Sequence, residues 1–294
     1  MNKINDMSWD WLAGFVDGEG SFHVSIRKSA SLNPTIDRRF AIAQSSKDRD
    51  LLVKIQQFLD AGTVTKANKQ GVCHLVIYNA TKLSHILTNL VPRLQSIKKH
   101  KAVLFLEINE LCRKKVHLLG DLNLIKDRIS EFYGKLNPGQ STNNEPLSPD
   151  WIRGFVEAEG CFGVSFHKRE RGYKHQIRVR FTIGLHSRDR LLLIRINNFF
   201  LVGHVTVHFQ SEPKIALGEH DSVFQTGSYQ YSVESIKSIN EKIIPFFEEK
   251  SFHGIKKHSF ELMSKVARIL KDKLHLTPEG RNLIETMVKD YRAN

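Results

Sequence analysis

The 294-residue sequence predicts an α+β protein built from two copies of one unit, each an antiparallel sheet with helices covering one face. Three observations carry this: an internal repeat across nearly the whole chain, strands with period-two alternation, and amphipathic helices long enough to cover the apolar side. Ser8–Gly20 (SWDWLAGFVDGEG) and Ser148–Gly160 (SPDWIRGFVEAEG) share eight of thirteen residues at an offset of 140. Phe40–Thr65 aligns with Phe181–Thr206 at an offset of 141, and Lys98-Lys99-His100 with Lys256-Lys257-His258 at 158. The growing offset predicts an insertion of about seventeen residues in the second copy, as a longer loop around Ser211–Asp221.

The elements follow in the same order in both copies. A helix of about ten residues comes first: Ser8 and Ser148 suit the N-cap, Pro149 the first helical position, and Gly20 and Gly160 the C-terminal turn. Gly14 and Gly18, with Gly154 and Ala158, place small residues four apart on one helix face, which lets two backbones approach closely. Trp11 and Trp151 share one repeated position and read as core. Two strands follow. Phe22, Val24 and Ile26 alternate with Ser21, His23, Ser25 and Arg27. In the second copy Phe162, Val164 and Phe166 alternate with Cys161, Gly163, Ser165, His167 and Arg169, and Ile177, Val179, Phe181 and Ile183 with Arg178, Arg180, Thr182 and Gly184. Asp48–Leu59 and Asp189–Phe200 have the pattern of helices that cover such a face, and two more strands and further helices complete each copy. Asn137–Leu147 (NPGQSTNNEPL) is a linker by composition, so the expected division is 1–136, the linker 137–147, and 148–294. The expected architecture is a pseudo-twofold dimer fused into one chain.

Forty-four Lys and Arg against thirty-one Asp and Glu give +13, which favours a polyanionic partner and nucleic acid first. No run of eighteen apolar residues favours a membrane. Cys73, Cys112 and Cys161 show no paired spacing, and the fourteen histidines no zinc spacing. Met1–Trp11 lacks the blocks of a signal or transit peptide, so the protein is expected to act where it is made. No Gly-rich phosphate loop, nucleophilic serine pattern or dinucleotide fingerprint is present. The open sheet faces are polar and basic in both copies and suit a DNA groove. The expected DNA-contact residues are Ser21, His23, Ser25, Arg27, Arg39 and Lys66 in the first copy. In the second they are Ser165, His167, Arg169, Arg178, Arg180, Thr182, His204, Thr206, Gln230 and Ser232.

Glu19 and Glu159 occupy the last turn of the repeated helix, where the macrodipole disfavours a negative charge by about 0.3–1 kcal/mol. If the two helices pack side by side, both carboxylates emerge at one end and repel. A divalent cation removes both costs, and Mg2+ prefers such oxygen ligands. Asp17 and Glu157 point elsewhere on the helix and read as structural.

LAGFVDGEG (Leu12–Gly20) and IRGFVEAEG (Ile152–Gly160) resemble the two motifs of the LAGLIDADG homing endonucleases, in their single-chain, double-motif class. The resemblance extends to the KKH segments and to HLTPEG (His275–Gly280). It implies two αββαββα repeats in a saddle, with Glu19 and Glu159 as metal-binding acids and the Gly18 and Ala158 carbonyls as further ligands. It also implies Mg2+-dependent hydrolysis of both strands of a long DNA target across the minor groove, leaving 3′ overhangs, with Mn2+ or Ca2+ able to occupy the site. A monomer encoded by an organellar, mitochondrial intron is implied too. Lys98 and Lys256 are placed to stabilise the scissile phosphate, in competition with Lys99 and Lys257, and Gln44 to orient water. Gln44 aligns with Leu185, so its role is asymmetric or dispensable, and Arg153 replaces the motif's usual small residue. An RNA maturase acting on its own intron RNA, or a non-cleaving DNA-binding regulator, are the rival readings. Retention of both acids speaks against the regulator.

Overall fold

The computed structural model describes residues 7–27, 35–115, 122–134, 145–167, 176–210 and 227–293. The chain divides into two compact units, Met1–Ala158 and Glu159–Asn294. The first contains α1 (Trp9–Glu19), β1 (Gly20–Arg27), β2 (Thr35–Ser45), α2 (Arg49–Leu59), β3 (Thr63–Val64), β4 (Val72–Ile77), α3 (Ala80–Leu90), α4 (Lys98–Arg113) and α5 (Leu122–Tyr133). It also takes in nearly all of α6 (Pro149–Glu159). The second contains β5 (Gly160–His167), β6 (Gln176–His186), α7 (Arg190–Phe200), β7 (His204–Gln210) and β8 (Gly227–Val233). Then come α8 (Ile236–Ser238), which runs through a π-turn into α9 (Ile244–Glu248), and α10 (Lys256–Lys271) and α11 (Pro278–Ala293). No described helix is long and apolar enough to cross a membrane.

Each unit has one four-stranded antiparallel sheet, ordered β1-β2-β4-β3 and β5-β6-β8-β7. The register repeats: Gly20 faces Ile42 and Phe22 faces Phe40, as Gly160 faces Ile183 and Phe162 faces Phe181. The two cross-strand phenylalanine pairs stack alike, with ring centroids 5.2 and 5.1 Å apart. Phe40, Ile42, Leu75 and Ile77 form the covered side in the first unit, below buried Leu51, Leu52, Ile55 and Leu59 of α2 and Leu83, Ile86 and Leu87 of α3. In the second unit Phe162, Phe181, Phe200, Phe247 and Phe260 do the same. The alternation read from the sequence thus sets which side is buried.

Backbone detail repeats as well. α2 ends at Asp60 and α7 at Leu201, both left-handed, with φ of 46° and 57°. Gly62 and Gly203 follow at φ of 90° and 92°, and a Cβ on either would meet a strand carbonyl at 2.9 or 2.6 Å. Glycine is needed there for both reasons. The expected long loop around Ser211–Asp221 lies outside the described residues, as does most of the linker 137–147.

Candidate active site and nucleic-acid interface

Residues 11–17 of α1 are buried without a break, as are residues 151–157 of α6; in each helix the next two residues are half-buried and the following glycine is buried. A helix that is apolar nearly all round must be covered all round. Ser8 Oγ accepts from Trp11 N, and Ser148 Oγ from Trp151 N, each at 3.1 Å, so both caps form as the sequence predicts. The close helix approach is also present. A Cβ on Gly14 would lie 2.0 Å from Trp151 O, and one on Gly154 1.9 Å from Trp11 O. Gly20 differs from expectation: its φ of −73° and ψ of 147° are extended, not left-handed. Its lack of a side chain serves close packing, since a Cβ would sit 2.5 Å from Val16 Cγ1. α1 therefore passes straight into β1, and Glu19 is held at the junction.

Asp17 is buried beneath this junction. Its Oδ2 accepts from Gln95 N at 2.7 Å and Trp151 Nε1 at 2.9 Å, and its Oδ1 from Ser96 N at 3.1 Å and Ser96 Oγ at 2.5 Å. Burial pushes its carboxyl above the usual carboxylate range, and the four donors oppose that shift. Ser96 Oγ in turn accepts from Lys98 N at 3.1 Å. Asp17 thus ties α1, α6 and the start of α4 together, a structural part as expected. Its partners at 95 and 96 carry no signal in the sequence. Arg153, the departure from the motif, is accommodated by a 3.1 Å ion pair to Asp150.

α4 and α10 both begin with Lys-Lys-His and have no acidic residue in the first turn. Positive charge there opposes the helix dipole, an arrangement that helix stability does not select. The first lysine of each segment turns its charge to helix-junction carbonyls. Lys98 Nζ donates to Gly18 O and, at 3.4 Å, to Val16 O; Lys256 Nζ donates to Gly160 O at 2.6 Å. The second lysines go elsewhere: Lys99 Nζ donates to Pro92 O at 3.4 Å, and Lys257 pairs with Glu261 at 3.6 Å. Among the described residues no group of three or more His, Cys, Asp or Glu forms a metal cage. The Gly18 and Gly160 carbonyls each accept from an ammonium group. Glu19 with Gly18 O, and Glu159 with Ala158 O, fit a hard cation that completes its shell with water and substrate phosphate oxygens.

On the open faces Ser21, His23, Arg27 and Arg39 are exposed in the first unit, with Ser25 half-buried and Lys66 exposed beyond β3. Arg27 forms a diagonal ion pair with Asp37, which faces Ser25 in the register, while Arg27 itself faces Thr35. In the second unit His167, Arg178, Arg180, His204 and Thr206 are exposed, with Ser165 and Gln230 half-buried. Thr182 and Ser232 depart from expectation. They face each other in mid-sheet and are only 6% and 5% exposed, because period two fixes the side of a sheet but not how far taller neighbours close over it. Arg169 lies outside the described residues. Gln44 shares the register side of Phe40 and Ile42, opposite buried Cys73, and is half-buried rather than on the open face. Tyr133 was not anticipated: its hydroxyl donates to Val24 O at 2.6 Å and closes the outer edge of β1, beside His23.

The model of the LAGLIDADG endonuclease family matches residues 12–111 and again 152–267. The chain belongs to this family. Its two repeats are therefore the two LAGLIDADG halves, and α1 and α6 carry the motifs. Probable intron-encoded endonuclease 3 of Neurospora crassa is 26% identical over 301 residues, covering 95% of this chain but 53% of that protein, so the chain spans about half that relative's length. I-SmaMI bound to uncleaved DNA target in the presence of calcium ions has a TM-score of 0.81 at 26% identity, covering 96% of this chain and 98% of that one. A LAGLIDADG homing endonuclease I-SmaMI structure bound to cleaved DNA has a TM-score of 0.80 at 25% identity, covering 96% of each chain.

Proposed function

We propose that this LAGLIDADG chain is a site-specific endonuclease that hydrolyses both strands of a long, asymmetric double-stranded DNA target and leaves 3′ overhangs. The observation that carries the reading is the repeated helix junction. In each half a half-buried glutamate ends a helix whose seven central residues are buried, and the first lysine of a Lys-Lys-His segment brings its ammonium to the junction carbonyls. Similarity to I-SmaMI, whose structures hold uncleaved and cleaved DNA, supports it.

Glu19 with Gly18 O, and Glu159 with Ala158 O, hold divalent cations, Mg2+ in the working enzyme and Mn2+ or Ca2+ as substitutes. The bound metal supplies Lewis-acid charge at the scissile phosphate and a more acidic water. Each glutamate serves mainly one strand. Lys98 and Lys256 lie close enough to add positive charge where the pentavalent phosphate becomes most negative. Gln44 orients water in the first half only, since Leu185 takes its place in the second. The two halves, 1–136 and 148–294 joined by 137–147, act as one monomer. Their exposed arginines and histidines contact the DNA backbone and base edges, and binding weakens steeply with salt. The protein works in the mitochondrial matrix, beside the intron that encodes it, with no membrane partner.

The test is cleavage of a plasmid library carrying randomised targets, followed by point variants on the selected site. Wild type with Mg2+ linearises the plasmid, whereas Glu19→Gln or Glu159→Gln nicks one strand or cuts neither. Full double-strand cutting by both single variants refutes the assignment of the acids.

A further inference from the structure

β7 is an edge strand of the second sheet and starts in regular alternation. His204 faces Ser232 and Thr206 faces Gln230 on the open side, while Val205 and Val207 face Tyr231 and Tyr229 on the covered side. Continued alternation would put Phe209 with the two valines. The register instead shifts between Val207 and Phe209, and Phe209 faces Ser228, which itself faces His186 on the open side. One extra residue, His208, has moved an aromatic ring from the covered side to the polar side. A β-bulge re-aims side chains in this way. Phe209 is 62% exposed there. The first half has no counterpart: the aligned residue, Asn68, closes a short turn, its Oδ1 accepting from Gln70 N at 2.9 Å and Val72 N at 3.0 Å.

Resting on the DNA-cleaving reading, we propose that Phe209 reads thymine in the half-site bound by the second unit. An apolar ring among His204, Thr206, Gln230 and Ser228 has little to match on a phosphate backbone. In the major groove the one apolar group at a base edge is the thymine C5 methyl, which phenylalanine contacts well. Phe209 is then a specificity residue with no part in the hydrolysis, and it makes the two halves read their half-sites differently.

The experiment selects bound duplexes from a library randomised in that half-site, with Ca2+ in place of Mg2+, for the full-length wild type and Phe209→Ala. Wild type enriches thymine at one or two positions where Phe209→Ala does not, and Phe209→Leu keeps part of the preference. Replacing that thymine by deoxyuridine, which removes only the methyl, weakens wild-type binding about fourfold and leaves Phe209→Ala unchanged. Identical thymine preferences in both proteins, or equal loss on deoxyuridine substitution, overturn the proposal and leave the bulge as protection of a sheet edge. If the wild type selects no sequence at all, the endonuclease reading fails as well.

Discussion

Gly154→Ala separates packing from helix propensity in a way few substitutions do. In an exposed helix, alanine in place of glycine gains about 0.8–1.0 kcal/mol. At Gly154 the new Cβ would sit 1.9 Å from Trp11 O and 3.0 Å from Phe15 N, both backbone atoms that no rotamer change can move aside. To reach an ordinary contact of 3.4 Å, α1 and α6 must part by about 1.5 Å at the crossing. Overpacking of this kind costs about 1–3 kcal/mol, and here it is met by rigid backbone, so the upper part of that range applies. The net effect is a loss of about 1–2 kcal/mol after the propensity gain. Thermal unfolding should show a fall of about 2–4 °C for each kcal/mol. Gly184→Ala is the control, since nothing lies within 4 Å of its added Cβ. Function should suffer more than stability. These two helices end in Glu19 and Glu159, and a 1 Å misplacement of catalytic groups can cost about a hundredfold in rate. Cutting measured well below the melting temperature should fall steeply while target binding is kept. A Gly154→Ala protein that melts at or above the wild-type temperature would refute the close-crossing argument.

Lys98→Met should lower the cutting rate about 10²- to 10³-fold at saturating metal with little change in target affinity, whereas Lys99→Met should leave the rate within a few fold; single-turnover kinetics on the two variants decides between the lysines. Asp17→Asn turns an acceptor-only carboxylate into an amide facing four donors, leaves at least one buried N–H without an acceptor, and should cost about 1–3 kcal/mol in urea unfolding. Leu201→Gly relieves a left-handed, 79% exposed leucine and should raise stability by about 0.5–1 kcal/mol, read as a higher urea midpoint at unchanged slope.

Much of the skeleton is legible before any coordinates because the residues concerned act locally. Ser8 and Ser148 cap their own helices, Phe22 and Phe162 alternate within their own strands, and Gly14 and Gly154 lie four residues from their small partners. The duplication makes each such sign visible twice. What stays hidden depends on residues distant in the chain. The sequence offers Lys98 and Lys99 on equal terms; their difference lies in which carbonyl each ammonium reaches, Gly18 O or Pro92 O. The donors that hold Asp17 come from positions 95 and 96, a turn with no motif of its own. Thr182 and Arg180 share one face in the alternation, yet one is closed over and the other exposed. Gln44 takes the register side of Phe40 and Ile42 and is half-buried there, a placement that only strand pairing sets.

The two halves diverge where backbone geometry does not constrain them. Gly62 and Gly203 repeat because their φ angles and the strand carbonyls beside them admit no Cβ. The burial sequence through α1 repeats through α6 because each helix is covered on every side. On the open faces no such constraint acts, and Arg39 aligns with Arg180 while Asn68 aligns with Phe209, a turn-former against an aromatic. A homodimer must present the same face twice and so prefers a symmetric duplex. Fusing the copies removes that requirement, since each open face can change alone without disturbing the shared helix junctions. The bulge in β7 is such a change: one added residue alters the chemistry of one open face and leaves the register of β5, β6 and β8 as it is in the first half.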